Sequence, residues 1–180
     1  MTAQIEDKFI YKSKWHSLVG LQGGELFSPE QCGMNPEMID TSCYRGFYAV
    51  YKIKRNKLYL HELTVLEKDN NYLPICGKLP QESDNGIGAT YKNLELEIPF
   101  TGKIRLARDF IEELYVHMGF QDATAYKTVY DLTIEKGKVI KLKDLSADLE
   151  KYRGKFKKRF DSDVSPKGII DAFSLDIDNE

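Results

Sequence analysis

The residues of this 180-residue chain with the best spacing for chemistry are two acids and a histidine placed four positions apart. Asp109, Glu113 and His117 share one face if residues 108–118 form a helix, because side chains four positions apart are neighbours on a helix. Two carboxylates and an imidazole on one face could hold a metal ion or move a proton. Two alternatives stay open. The segment could be a strand, which breaks the set, or a helix whose acids simply face solvent.

A second candidate is Cys43 as a nucleophile with His61 as its base. Such a cysteine needs a lowered thiol pKa and a third group that orients the base, and the sequence indicates neither. The alternative is a packed thiol and a half-buried histidine. Cys32, Cys43 and Cys76 are an odd number of cysteines at spacings that match no metal motif. We therefore expect reduced, mostly buried thiols, and we predict no cofactor and no metal.

Residues 151–160, KYRGKFKKRF, place basic side chains around three aromatic rings, a pattern that can bind a phosphate backbone and stack on bases. However, these rings fall on the apolar stripe of a predicted helix, and the acidic tail that follows can neutralise the basic residues. The net charge of −2 provides no overall field that would attract nucleic acid or an anionic membrane. Nucleic acid is disfavoured as the main partner, and no membrane partner is predicted.

Tyrosine is abundant, with 11 residues, so some tyrosines must be exposed. Tyr and Arg are enriched at protein interfaces because they bury a large area and keep a polar group. Tyr44 and Arg45, at a predicted boundary between loop and strand, are the preferred partner-binding site. Tyr72 and Tyr91, in the long region after the first hairpin, are further partner-binding candidates. The alternative for each residue is ordinary packing in a sheet.

The elements that must position these residues are predominantly strands. Residues 45–68 alternate apolar and polar side chains and are rich in Tyr, Val, Ile and Leu, which is typical of a hairpin. Three hairpins are predicted, at residues 45–68, 93–106 and 126–142. Residues 69–92 show no period and predict an exposed loop that could hold one short strand at residues 72–76. Alternation at residues 173–178 predicts a last strand.

One helix is predicted near the C-terminus. From Ser146 onward the apolar residues Leu149, Tyr152, Phe156 and Phe160 recur at steps of three and four. Such spacing produces one apolar stripe along a helix. We expect this amphipathic helix to pack on the sheet.

Composition indicates a globular protein of ordinary make-up. Hydrophobic residues are 42% of the chain and charged residues 30%. A chain of this length can bury one core, so we predict a single domain over residues 1–180. The N-terminus has no basic start followed by an apolar run, and no window approaches the roughly 20 apolar residues of a membrane span. The expected location is the cytoplasm.

Two blocks of sequence, CYRGFYAVYKIKRNKLYLHEL and LYVHMGF, resemble a group of small bacterial proteins that have no assigned function. The resemblance implies a bacterial origin. It implies no catalytic residue and no ligand.

The prediction for the fold is an α+β domain with a mostly antiparallel sheet built from hairpins and a C-terminal amphipathic helix packed on it. The leading hypothesis for the function is a non-catalytic protein-interaction module, such as an immunity-type protein that binds and neutralises a toxin polypeptide. One alternative is a small hydrolase or metal-dependent enzyme that uses His117 with Glu113, or Cys43 with His61. Another is a sheet module that binds a small ligand in an apolar pocket.

Overall fold

The computed structural model describes residues 2–155 and 165–177, and most of its regular structure is strand. The strands are β1 (Lys8–Tyr11), β2 (Lys14–Gln22), β3 (Phe47–Lys54), β4 (Lys57–Val65), β5 (Gln81–Glu82), β6 (Ala89–Tyr91), β7 (Leu96–Glu97), β8 (Gly102–Phe110), β9 (Tyr126–Glu135) and β10 (Lys138–Asp144).

These strands form one mixed sheet in the order β10-β9-β8-β2-β1-β3-β4-β6-β5, and β7 pairs with β4. β1 and β3 are parallel, whereas the other strand pairs of the described residues are antiparallel. β10 also meets β4 at the pair Lys138 and Lys57. Beside this pair, the Leu58 N–H donates to the Gly137 carbonyl at 2.8 Å. The sheet therefore curls until β10 and β4 touch.

The predicted hairpins at residues 45–68 and 126–142 are confirmed. Each is closed by two residues with positive φ, Arg55 and Asn56 in one (φ 50° and 60°) and Lys136 and Gly137 in the other (φ 47° and 77°). Two-residue turns of this hand match the right-handed twist of the strands that they join.

The predicted hairpin at residues 93–106 is wrong. β7 is only two residues long and pairs with β4, while β8 lies between β2 and β9. Asn93 and Glu95 have positive φ (55° and 51°), which interrupts an extended strand. Buried and exposed side chains still alternate through residues 93–100. The alternating sequence pattern therefore predicted burial on one side correctly, although the segment is not a continuous strand.

The long C-terminal helix is not confirmed. Helix α1 (Ser146–Glu150) has five residues and is followed by turns at residues 151–154. Leu149 of α1 packs on a small apolar cluster that contains Val129, whereas Phe156 and Phe160 lie outside the described residues.

A second short helix, α2 (Pro166–Ala172), precedes the tail, and three 3-10 helices lie at Pro29–Cys32, Glu112–Leu114 and Ala123–Ala125. In place of the predicted last strand, the tail makes a single parallel bridge between Asp176 and Leu21 of β2. In the part of the chain that the structure describes, no helix is long and apolar enough to span a membrane.

The main core lies between the inward faces of these strands. Phe9, Tyr51, Leu60, Leu63 and Ile104, from four different strands, are at most 1% exposed. The region predicted as a long loop, residues 69–92, contains β5 and β6, and it makes an isolated bridge from residue 75 to residue 78 instead of a strand at residues 72–76.

Candidate functional site

The predicted set on one helix face is not formed, because residues 108–118 are not a helix. Asp109 lies near the end of β8, with φ 62°, and its carboxylate accepts from the Thr128 hydroxyl at 2.9 Å. Glu113 follows in a 3-10 helix of three residues, and His117 comes after that helix has ended. Within residues 2–155 and 165–177, no group of three or more His, Cys, Asp or Glu side chains could hold a metal ion.

Cys43 and His61 contact different partners. The Cys43 thiol is buried and donates to the Phe47 carbonyl at 3.4 Å. Burial raises the pKa of this thiol, which disfavours the thiolate that a nucleophile requires. The His61 Nδ1 atom lies 2.8 Å from a Glu95 carboxylate oxygen. Cys43 is therefore a packed thiol and His61 pairs with Glu95, and the described hydrogen bonds do not connect the two residues.

A serine beside a lysine, Ser17 and Lys8, was not singled out from the sequence. The Lys8 ammonium donates to the Ser17 hydroxyl at 2.9 Å and also to Glu6 at 2.5 Å. The Ser17 hydroxyl donates to the same Glu6 carboxylate at 2.9 Å. Burial opposes ionisation of Glu6, but Lys8 and the hydrogen bonds lower its pKa overall. The charges of Lys8 and Glu6 compensate each other, and the Ser17 hydroxyl is hydrogen-bonded to both residues. Such an arrangement is typical of a structural cluster.

A groove of about 450 Å³ lies at the surface of the described residues. It lies where the N-terminal segment, the loop before β3, the loop after residue 118 and the end of α2 meet. Below we call it the aromatic groove. Its lining residues are Gln4, Ile5, Cys43, Tyr44, Arg45, Phe120 and Phe173.

Backbone hydrogen bonds hold the walls of the aromatic groove together. The Gln4 N–H donates to the Gly119 carbonyl, and the Phe120 N–H donates to the Ala172 carbonyl, each at 2.8 Å. Gly119 has φ +74°, and a Cβ there would lie 2.1 Å from the Ala172 oxygen. Only glycine accommodates this approach without strain. Gly119 therefore stands between the N-terminal segment, which hydrogen-bonds to its carbonyl, and the end of α2, which it approaches closely.

The rim of the aromatic groove carries apolar side chains that water can reach. Tyr44 is 44% exposed and Ile5 is 36% exposed. Phe120 and Phe173 are half-buried. The rings of Tyr44 and Phe173 lie 5.8 Å apart between centroids and are tilted by 52°, an arrangement that aromatic pairs favour. These side chains form an apolar surface that carries the Tyr44 hydroxyl.

Arg45 contributes an arginine whose charge is already compensated. Its guanidinium donates to the Asp7 carboxylate and, at 2.9 Å, to the Phe47 carbonyl. The Asp7 side chain is only 4% exposed and also accepts from the Ala49 N–H at 2.7 Å. Burial opposes the charged guanidinium, but Asp7 raises the pKa of Arg45 overall. The arginine consequently adds no uncompensated charge to the groove.

The other two predicted partner-binding residues lie elsewhere. Tyr91 is fully buried, and its hydroxyl donates to the Leu73 carbonyl at 2.7 Å. Burial raises the pKa of Tyr91 to about 12. Tyr72 is partly buried against the main core, and its hydroxyl accepts from the Glu67 N–H at 3.4 Å. The described lining of the groove includes neither tyrosine.

Sequence reasoning identified Tyr44 and Arg45 but missed Ile5, Phe120 and Phe173. Phe120 does stand in the block LYVHMGF, and Phe173 begins the alternating tail. Neither pattern indicates a shared surface, because the three residues come from segments that are distant in sequence.

Comparisons with known proteins do not assign a family. No family model, no curated protein and no solved structure matches this chain. What the aromatic groove does is therefore inferred from its own contacts, burial and charges.

Proposed function

We propose that this chain is a non-catalytic protein-interaction module, and that the aromatic groove receives an uncharged apolar side chain from a partner polypeptide. The observation that carries the proposal is the pair of rings formed by the exposed Tyr44 and the half-buried Phe173, beside an arginine whose charge Asp7 compensates. Tyrosine and arginine are the residue types that most often dominate binding energy at protein interfaces.

The charge of the groove supports this choice of occupant. Asp7 compensates the Arg45 guanidinium, and the remaining lining residues are uncharged. An ionised group entering the groove would lose its hydration without gaining an opposite charge, which is costly. An aromatic or aliphatic side chain pays no such penalty and gains apolar contact with Ile5 and the rings.

In its most concrete form, the proposal is an immunity-type protein of a bacterial cytoplasm, whose partner is a toxin that it binds and neutralises. The resemblance of two sequence blocks to small bacterial proteins supports the bacterial origin. The net charge of −2 supports a protein partner over a nucleic acid or an anionic membrane.

The test begins with capture of partners from the native cell, followed by binding measurements with the purified partner. Tyr44→Ala and Phe173→Ala should each weaken binding about tenfold or more, which corresponds to about 1.4 kcal/mol. Trp15→Ala is the matched control, because Trp15 is an aromatic residue that is 59% exposed and stands outside the groove lining. It should bind like the unaltered chain.

Binding that survives both groove substitutions in folded protein would refute the groove as the contact site. The immunity form of the proposal has its own readout. The partner expressed alone should arrest growth, and co-expression of this chain should restore it, whereas the Tyr44→Ala chain should restore it less.

A second candidate function is the binding of a small apolar molecule. The groove volume of about 450 Å³ favours it, because pockets for small ligands span roughly 300 to 1,000 Å³. Native mass spectrometry of the purified chain should then show a bound small molecule that Phe173→Ala releases. A bare chain that binds a polypeptide through Tyr44 would exclude this candidate.

A further inference from the structure

Cys32 and Cys76 stand in neighbouring loops that the core tyrosine Tyr91 joins. Cys32 ends the 3-10 helix Pro29–Cys32. Cys76 has φ 50° and lies in a tight turn that is closed by the bridge between residues 75 and 78.

Two polar contacts of the Tyr91 hydroxyl and one close approach between flanking residues bring the loops together. The Tyr91 hydroxyl lies 2.7 Å from the Leu73 carbonyl and 3.4 Å from the Met34 sulfur. A Cβ at Gly33 would lie 3.2 Å from a Leu73 methyl carbon. Gly33, which follows Cys32, therefore lies close to Leu73, which stands three positions before Cys76.

Solvent reaches the thiols of Cys76 and Cys32 but not the buried thiol of Cys43. All three are free, with Cys76 exposed, Cys32 half-buried and Cys43 buried. The expectation of mostly buried thiols is wrong for Cys76, because its turn lies at the surface. Burial raises the pKa of Cys32, and repulsion from Cys76 adds to the rise, which agrees with their being neighbours.

We propose that Cys32 and Cys76 form a dithiol site that reacts reversibly with two-electron oxidants of the hydroperoxide class. The exposed Cys76 thiol reacts first: its sulfur takes oxygen from the hydroperoxide and becomes a sulfenic acid, and the corresponding alcohol or water leaves. The Cys32 sulfur then attacks the Cys76 sulfur, a disulfide bond forms, and water leaves. A reducing thiol restores both cysteines by exchange.

The turn that carries Cys76 lies at the surface, since Cys76 is exposed. A disulfide requires α-carbons within roughly 7 Å of each other. Next to Cys76, the Cβ position of Gly77 has no atom of the described residues within 4 Å. The turn is therefore unpacked beside Gly77, whereas Cys32 packs on the core, so we expect the turn to supply any approach that the bond requires.

The test is hydrogen peroxide treatment of the full chain, followed by alkylation of the remaining thiols and peptide mapping without reduction. We expect a cross-linked peptide that contains Cys32 and Cys76, the loss of two hydrogen atoms in mass, and an alkylated Cys43. Dithiothreitol should restore three alkylated thiols. In Cys32→Ser the cross-link should be lost, and Cys76 should accumulate higher oxidation states. Cys43→Ala should retain the cross-link.

Two results would overturn the proposal, and both can be read in the unaltered chain without any variant. One is oxidation of Cys76 while Cys32 remains fully alkylated. The other is a disulfide that joins two copies through Cys76, seen as a dimer on a non-reducing gel.

Discussion

Asp7→Ala should destabilise the fold, because the Asp7 side chain joins Arg45 of the aromatic groove to the core strand β3. Its buried carboxylate accepts from the Arg45 guanidinium and from the Ala49 N–H. Ala49 is 2% exposed, so water does not readily replace the lost acceptor. A buried donor left without a partner costs about 1 to 3 kcal/mol, and a hydrogen bond to a charged group contributes about 1.5 to 3 kcal/mol.

The Arg45 side chain is 33% exposed and regains some hydration, so the lower half of both ranges applies. We expect Asp7→Ala to reduce the free energy of unfolding by about 3 kcal/mol. In a chain of this length that lowers the melting temperature by roughly 6 to 12 °C. Asp7→Asn keeps an oxygen for the Ala49 N–H and loses only the charge, so it should cost about half as much.

Urea unfolding followed by circular dichroism measures these differences. Glu97→Ala is the control, because its ion pair with Lys57 lies in solvent, and we expect no resolvable shift. The double variant with Arg45→Ala and Asp7→Ala should lose less free energy of unfolding than the sum of the two single variants, because each single variant leaves a charged partner uncompensated. If Asp7→Ala is no more destabilising than Glu97→Ala, the Asp7 carboxylate does not position Arg45 as described.

Three further predictions concern other parts of the chain. Gly119 and Gly77 have nearly equal φ (74° and 72°), so the difference between Gly119→Ala and Gly77→Ala isolates the clash of a Cβ at Gly119 with the backbone at the end of α2. In thermal unfolding, Gly119→Ala should lower the free energy of unfolding by about 1 to 3 kcal/mol more than Gly77→Ala does. Equal losses would contradict this close approach. Backbone N–H donors lower the pKa of Glu67, so its stabilisation of the following loop is present above its unfolded pKa and is lost as pH falls. Hydrogen-exchange protection in residues 68–71, measured relative to the intrinsic rate at each pH, should therefore fall in acid and in Glu67→Gln, and unchanged protection would refute the role. Burial lowers the pKa of His16, so stability should decline as pH falls below about 6.5. Urea titrations should show a flatter decline in His16→Gln, and an equally steep decline in that variant would contradict this role of His16.

Residue alternation and turn residues predicted the hairpins, whose strands are neighbours in the sequence. The hairpin of β3 and β4 shows both an alternating pattern and a two-residue turn, Arg55 and Asn56, and these two signals agree. Residues 108–118 mislead because the acid spacing suits a helix, while the long-range pairing of Phe110 with Tyr126 keeps β8 extended. A pairing with a distant strand leaves no mark on the periodicity of one segment.

The aromatic groove illustrates the same limit for the candidate site. Tyr44 was predictable from its residue type and its position at a strand boundary. Phe120 and Phe173 line the same groove as Tyr44, and Gly119 lets the segment that carries Phe120 approach the end of α2 closely. The positive φ of Gly119 and its contact with α2 are tertiary facts that the residue type permits but does not indicate.

The contact of β10 with β4 has a consequence for the order in which the protein is made and folded. Lys57 emerges from the ribosome long before Lys138, its partner in the curled sheet. Until then β3 and β4 can form their hairpin, but one part of β4 has its backbone groups open to water or to other chains. Because distant pairings must overcome a larger loss of chain entropy, we expect this contact to form late and to limit the folding rate. A chain truncated before β10 would leave this part of β4 and the whole paired edge of β9 open, and it should aggregate.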